Sequence, residues 1–209
     1  MRLARPGSAV WLGVEAVQRK FLAAVDHKAT VYVKRAFHLA VSAHKRPFTR
    51  SVRPVPVRIV SISKNNSSGA DLLAGELLKK LERYTEASEL IIRPNPKKSV
   101  DPRVAMQAEG DKVLKLLRPQ DRVIVLDERG KDATSEKFAD MIAEAGDEGV
   151  GAMVFCIGGP YGHSDAVRSR ADSMLRLSSC VLNHQIARVV LLEQLYRGWT
   201  IIKGEPYHH

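Results

Sequence analysis

The run Val154-Phe155-Cys156-Ile157-Gly158-Gly159-Pro160-Tyr161-Gly162-His163 passes abruptly from an apolar, strand-like stretch into three glycines and a proline. Glycines at the end of a strand mark either an unusual turn or the close approach of a ligand to the backbone, and spacing alone favours neither. The familiar phosphate chemistries are absent. "GGPYGHSD" lacks the Gly-Lys-Ser/Thr ending of a nucleoside-triphosphate loop, and no G-x-G-x-x-G follows the first strand. A second run, Leu126-Asp127-Glu128-Arg129-Gly130-Lys131, carries an apolar strand into charged residues. Arg129 and Lys131 there fit phosphate contacts and solvated surface alike. His184 and Arg188 stand four apart, so one helix face presents both. They read either as a pair turned toward a site or as a helix-capping His and a surface Arg. Glu193 and Arg197, again four apart, read as a simple intrahelical ion pair. Cys156 and Cys180 are too few for a disulfide framework, and their apolar surroundings predict buried, reduced thiols.

The elements that must position these groups alternate along the chain. Pro54 and Pro56 stop any helix, and Val57–Ser63 then alternates as a first strand. Ala70–Thr85 is an amphipathic helix with Leu72, Leu73, Leu77, Leu78 and Leu81 expected on one face. "SELIIRP" is a second strand ended by Pro94, and Asp101–Leu117 a helix with Pro102 in its first turn and Pro119 beyond its end. "DRVIVLDERG" is a third strand, and "TSEKFADMIAEAGDEG" a helix whose Thr134 approximates a capping box. "VGAMVFCIGG" is a fourth strand, "SDAVRSRADSML" a short helix, "RLSSCVLNH" an irregular or strand-like piece and Gln185–Ile202 a long last helix. In that helix Leu191, Leu192, Leu195, Trp199 and Ile202 read as core or interface residues. The pattern predicts an α/β domain with a mainly parallel sheet and helices on both faces, its ligand site at the carboxyl ends of the strands.

The 209 residues fit one domain, or one domain and a tail, and contain no apolar run long enough to span a membrane. The net charge of +10 suggests a polyanionic partner until it is located. Residues 1–56 hold eleven Lys/Arg against Glu15 and Asp26, a net of +9, whereas residues 57–209 hold 22 against 21. Whole-chain charge is therefore no argument for nucleic-acid binding. The acid-poor first quarter, with Trp11, Val14, Val17, Phe21 and Leu22 at helical spacing, predicts an organelle transit segment. A basic arm touching RNA and a start codon placed upstream of the true one are the other readings of it.

Three blocks carry a resemblance. "LDERGK" followed by Ser135-Glu136-Lys137-Phe138-Ala139, then "IGGPYGHSD", then "LSSCVLNHQIARVVLLEQLYRGWTIIKGEPYHH" at the C-terminus together resemble the bacterial ribosomal RNA large-subunit methyltransferase H family. That family belongs to the SPOUT class of S-adenosylmethionine-dependent RNA methyltransferases. The resemblance covers residues 57–209 and implies a SPOUT-type sheet with a C-terminal trefoil knot, one of the few exceptions to unknotted topology. It implies methylation of N3 of a pseudouridine in large-subunit ribosomal RNA of the assembled ribosome by a homodimer. Neither a metal nor a membrane is among the expected partners.

Carried over by position, the implied cofactor contacts are Leu126, Gly158 and the run Leu177, Ser178, Ser179, Cys180, Val181 and Leu182. The implied substrate and catalytic positions are His184, Arg188 and the tail Tyr207, His208 and His209, which in the family reaches the other subunit's site. Tyr207 offers a stacking face for an unpaired base, and the histidines could hold phosphate or take a proton. Tyr161 stands where the family usually has Glu, Asn183 where it has Pro, and His209 where it has Lys or Arg. The "GGPYGH" variant resembles plant homologues, which makes chloroplast the expected destination ahead of mitochondrion. Two rival readings share these residues: a family member that docks on ribosomes without methylating, and the same chemistry on another RNA.

Overall fold

The structure is a computed structural model that describes residues 51–64, 67–94 and 101–206. The chain runs β1 (Val57–Ile62), α1 (Ser68–Leu81), β2 (Ala87–Ile92), α2 (Pro102–Leu114), β3 (Arg122–Asp132), α3 (Ser135–Glu148), β4 (Met153–Ile157), α4 (Asp165–Arg170), β5 (Ser173–Arg176) and α5 (His184–Lys203). Its strands form one five-stranded sheet in the order β2-β1-β4-β3-β5. All strand pairings are parallel, and the central strands are buried and apolar almost throughout, whereas the edge strand β2 is largely exposed.

Alternation along each strand sends side chains to two cores. Ile59, Ile124 and Phe155 pack with Phe138 and Met141 of α3 and with Leu191, Leu195 and Trp199 of α5. Val60, Val123, Val125, Val154 and Cys156 pack with Val113 of α2 and Val167 of α4. Local signals start the helices. Thr134 accepts the Lys137 amide at 3.2 Å, Asp101 that of Arg103 at 2.8 Å, and Ser164 that of Val167 at 3.4 Å. Each such cap is worth about 1 kcal/mol. Val52 and Val55, upstream of β1, are also buried in the first core, so packing begins before Val57.

Three expectations change. The stretch 164–175 is not one helix: α4 ends at Arg170, the Asp172 amide bonds to Val123 O at 2.8 Å, and Ser173–Arg176 pairs with β3 as an edge strand. A four-residue apolar piece fits either period, so only the ladder decides. In α1 the buried stripe is Ala70, Ala74 and Leu81, with Leu77 and Leu78 packed beside it, while Leu72 and Leu73 are exposed. Cys180 is exposed; only Cys156 is buried, and burial pushes its thiol up to about 12.

The chain's path near its end sets up the site. From β4 in mid-sheet it passes through α4 to β5, beyond β3 at the sheet's edge. Residues 177–183 then return to α5, whose first residue lies against Ser63 at the end of β1: His184 Nε2 and Ser63 Oγ are 3.0 Å apart. Three strand spacings, about 14 Å, are crossed on the carboxyl side of the sheet.

Candidate functional site

At those carboxyl ends lies a cleft of about 630 Å³, within the range of small-molecule sites. It is walled by the end of β3 (Leu126–Arg129), the turn after β4 (Gly158–Gly162), the end of β5 with the 177–183 loop, and the first turn of α5. Leu126, Ile157, Leu175, Leu177 and Leu182 supply apolar surface, and the glycine turn supplies bare backbone.

That turn is built from its own residues. The Gly162 amide donates to Gly159 O at 2.9 Å, with Pro160 and Tyr161 between them, the placement of proline that a tight turn favours. Gly162 has φ +78°, a conformation that favours glycine. A Cβ on Gly158 would stand 2.9 Å from Gly162 C and 3.1 Å from Gly162 Cα and O. The backbone that approaches Gly158 is therefore that of Gly162. Of the two sequence-level readings, the structure supplies the tight turn, and the turn in turn forms one wall of the cleft.

Beneath it, His163 is buried and its Nε2 lies 3.2 Å from Cys156 O, while Nδ1 has no partner. Burial lowers its pKa to about 4, opposed by the Cys156 carbonyl and the Asp127 charge and assisted by Arg168. The folded protein then leaves His163 neutral where the unfolded chain protonates it. Its contribution is complete above about pH 6.5 and is lost as pH falls toward 4, by up to roughly 3 kcal/mol. His163→Leu should remove that loss. Denaturant unfolding of both proteins at pH 7 and pH 4 should show the leucine variant gaining relative stability in acid, and parallel curves would contradict the assignment.

The "LDERGK" block does more than end a strand. The β3–β5 register jumps from Leu126↔Leu175 to Lys131↔Leu175, so residues 127–130 bulge out of the ladder over the cleft. A Cβ on Gly130 would lie 2.5 Å from Leu175 C, which reserves the position for glycine. The bulge presents Asp127, which accepts the Arg129 amide at 3.0 Å and Arg168 Nε at 3.0 Å. Burial would raise its pKa, but these two partners outweigh it and hold the carboxyl below the usual range. Asp127 and Arg168 thus tie β3 to α4 as a charge-balanced pair in the cleft wall.

Of the residues singled out from sequence, Leu126, Gly158, Leu177, Ser178, Cys180, Val181, Leu182 and His184 line this one cleft, as do Tyr161 and Asn183; Ser179 does not. His184 and Arg188 are not a pair in the cleft. Arg188 is buried and turned to Glu89 and Asp71. Glu193 and Arg197 pair at 2.8 Å. Arg129 is exposed beside Asp127, and Lys131 is exposed. Tyr207, His208 and His209 lie outside the described residues. Sequence reading missed Asp127, Arg168 and the bulge at Gly130; a glycine inside a strand run was the one signal for the bulge.

A family model described as "Predicted SPOUT methyltransferase" matches residues 55–208. A protein of Arabidopsis thaliana, named as a candidate RNA methyltransferase, is 47% identical over 160 residues, covering 77% of this chain and 83% of that protein. "Ribosomal RNA large subunit methyltransferase H" of Geotalea uraniireducens is 38% identical over 73% of this chain and 99% of its own. The protein of the same name from Flavobacterium psychrophilum is 35% identical over 73% and 98%.

Proposed function

This chain belongs to the SPOUT methyltransferase family, and we propose that it transfers a methyl group from S-adenosylmethionine to large-subunit ribosomal RNA, at N3 of a pseudouridine. The observation that carries this reading is the single cleft in which residues from three separate sequence blocks meet. The cleft suits the cofactor: apolar leucines flank a slot for a flat ring, and glycine backbone offers close approach. The balanced Asp127–Arg168 pair adds no net charge against a zwitterionic group. When bound, the cofactor supplies a methyl group activated on a sulfonium. The chain's own part is then alignment of the target nitrogen and removal of its proton. His184 has Nε2 on Ser63, which leaves Nδ1 as the ring nitrogen to exchange a proton with the base.

The finer features rest on separate supports. A homodimer that shares its sites is supported by reach. α5 spans twenty residues from His184 to Lys203, about 28 Å, whereas residues 204–209 extend at most about 21 Å. The Glu205 amide also turns back onto Thr200 O. The reach of residues 204–209 is shorter than the helix, so we assign Tyr207, His208 and His209 to the cleft of a second copy. Exposed Tyr161, Val181 and Ile186 at or beside the cleft suit such a neighbour. The return of residues 177–183 across the strand ends supports the trefoil knot. Residues 57–209 are near neutral, so recognition rests on ribosome shape and local contacts more than on general attraction to RNA. The basic residues 1–56 and the likeness to the Arabidopsis protein support import into an organelle, the chloroplast ahead of the mitochondrion.

Mapping modified nucleotides in organellar large-subunit ribosomal RNA with and without this protein tests the substrate. Loss of one N3-methylpseudouridine is expected, and an unchanged pattern would refute it. Calorimetry of the purified protein with S-adenosylmethionine tests the activity class, since no binding would leave only a docking role.

A further inference from the structure

We infer that Arg188 is a positioning residue: its buried fork onto Glu89 and Asp71 fixes the downstream end of the 177–183 loop and so sets the shape of the cofactor cleft. The inference rests on the proposed function of that cleft. Arg188 is 6% exposed. Its Nε and Nη2 donate to Glu89 Oε1 and Oε2 at 2.6 and 2.5 Å, and Nη1 donates to Asp71 Oδ1 at 2.5 Å. Glu89 stands in β2 and Asp71 in the first turn of α1. One guanidinium therefore joins α5 to two elements that precede the site. A planar fork bonded at both oxygens of a carboxylate fixes angle as well as distance, which an ammonium does not.

What it fixes lies one turn upstream. His184 meets Ser63, and Gln185 Oε1 accepts the Ser67 amide at 3.3 Å, so the first turn of α5 is stitched to the segment between β1 and α1. Asn183 caps that turn through the Gln185 amide at 2.9 Å and is itself in the cleft wall. At the loop's upstream end Arg176 forks onto Asp132, with both bonds at 2.7 Å. Between the two forks residues 177–183 form neither helix nor strand. A segment without its own ladder takes its position from its ends, and six of its seven residues line the cleft.

The test separates position from stability. Removing one partner of a buried ion pair leaves an uncompensated charge, whereas replacing both with apolar groups of similar volume is often neutral for folding. Asp71, the remaining acceptor, is half exposed, so the full-length double variant Arg188→Met, Glu89→Leu is expected to keep the wild-type melting temperature. By calorimetry its dissociation constant for S-adenosylmethionine should rise about tenfold or more, with KM for the cofactor rising more than kcat falls. Arg188→Lys keeps the charge without the fork and should weaken cofactor binding about threefold or more, which serves if the double variant fails to fold. Wild-type cofactor affinity in either folded variant overturns the inference alone. Wild-type protein that binds no S-adenosylmethionine overturns the functional reading and the inference with it.

Discussion

Gly158→Val should weaken binding of S-adenosylmethionine by about a hundredfold or more, nearly 3 kcal/mol, while the protein stays folded. The valine Cβ would lie 2.9 Å from Gly162 C and 3.1 Å from its Cα and O. These are backbone atoms, which cannot rotate away as a side-chain end can. Two restraints oppose relaxation of the turn. The Gly162 amide bonds to Gly159 O, and His163 Nε2 meets Cys156 O below. What must yield is the Gly159–Gly162 hairpin, and that is a wall of the cleft. The fold itself is spared because Gly158 follows the last β4 ladder pair, Leu126↔Ile157, and the buried side chains of both cores lie elsewhere. Calorimetry for the cofactor and thermal melting of the same sample decide it. Unchanged affinity would mean that the turn does not bound the cofactor site, and a lost melting transition that it is needed for folding.

Much of this architecture was legible because several signals agreed at each element. Around α3, Thr134 caps the start, Phe138, Met141 and Ile142 recur on one face, and Gly149 closes the end in the left-handed conformation. The apolar runs of β3 and β4 have no polar face, which marks strands covered on both sides. Where one signal stood alone, the reading slipped. Leucine count put Leu72 and Leu73 on the packed face of α1, yet the smaller Ala70 and Ala74 are the buried positions, because close packing of α1 against α5 admits small residues that composition does not flag. β5 has four residues and pairs on one side only, too short for a period to declare itself.

The site divides along the same line. Residues of the loops that wall the cleft, such as Gly158 and the run from Leu177, were found through whole-block resemblance. Local chemistry would have passed over them, since glycine, serine and leucine in a loop carry no reactive group. Asp127 and Arg168 were passed over for the opposite reason. Each is an ordinary charged residue, forty-one positions from the other, and only the bulge in β3 brings them together. Arg188 carried a real signal, an arginine at fixed helical spacing from His184, but not a direction. Four residues advance a helix by a little over one turn, and that small rotation is enough to put His184 in the cleft and Arg188 on Glu89.

If the dimer shares its sites as proposed, a heterodimer pairing a chain that lacks Tyr207, His208 and His209 with a Gly158→Val chain should recover about half the wild-type rate of RNA methylation, because one of its two sites is intact. Each parent homodimer should fall by about a hundredfold or more, the first for want of the tail and the second for want of a cofactor. His184 and Lys203 are the two ends of one helix about 28 Å long, with His184 in the cleft and Lys203 at the far end. The exit from that far end is fixed. Gly204 ends the helix at φ +64°, the Glu205 amide returns to Thr200 O at 2.9 Å, and the Glu205 carboxylate accepts a hydrogen bond from the Tyr84 hydroxyl, whose ring stacks on Trp199 at 5.7 Å. Pro206 disfavours a helical Glu205, so the helix does not continue past Gly204. Co-expression with two affinity tags isolates the mixed dimer, and methylation of ribosomal RNA is measured per dimer. If the tail serves a second copy's cleft, the tail-less chain contributes the intact cleft and the valine chain the tail, and activity returns. If it served its own, the mixed dimer would hold no complete site and would be as inactive as its parents.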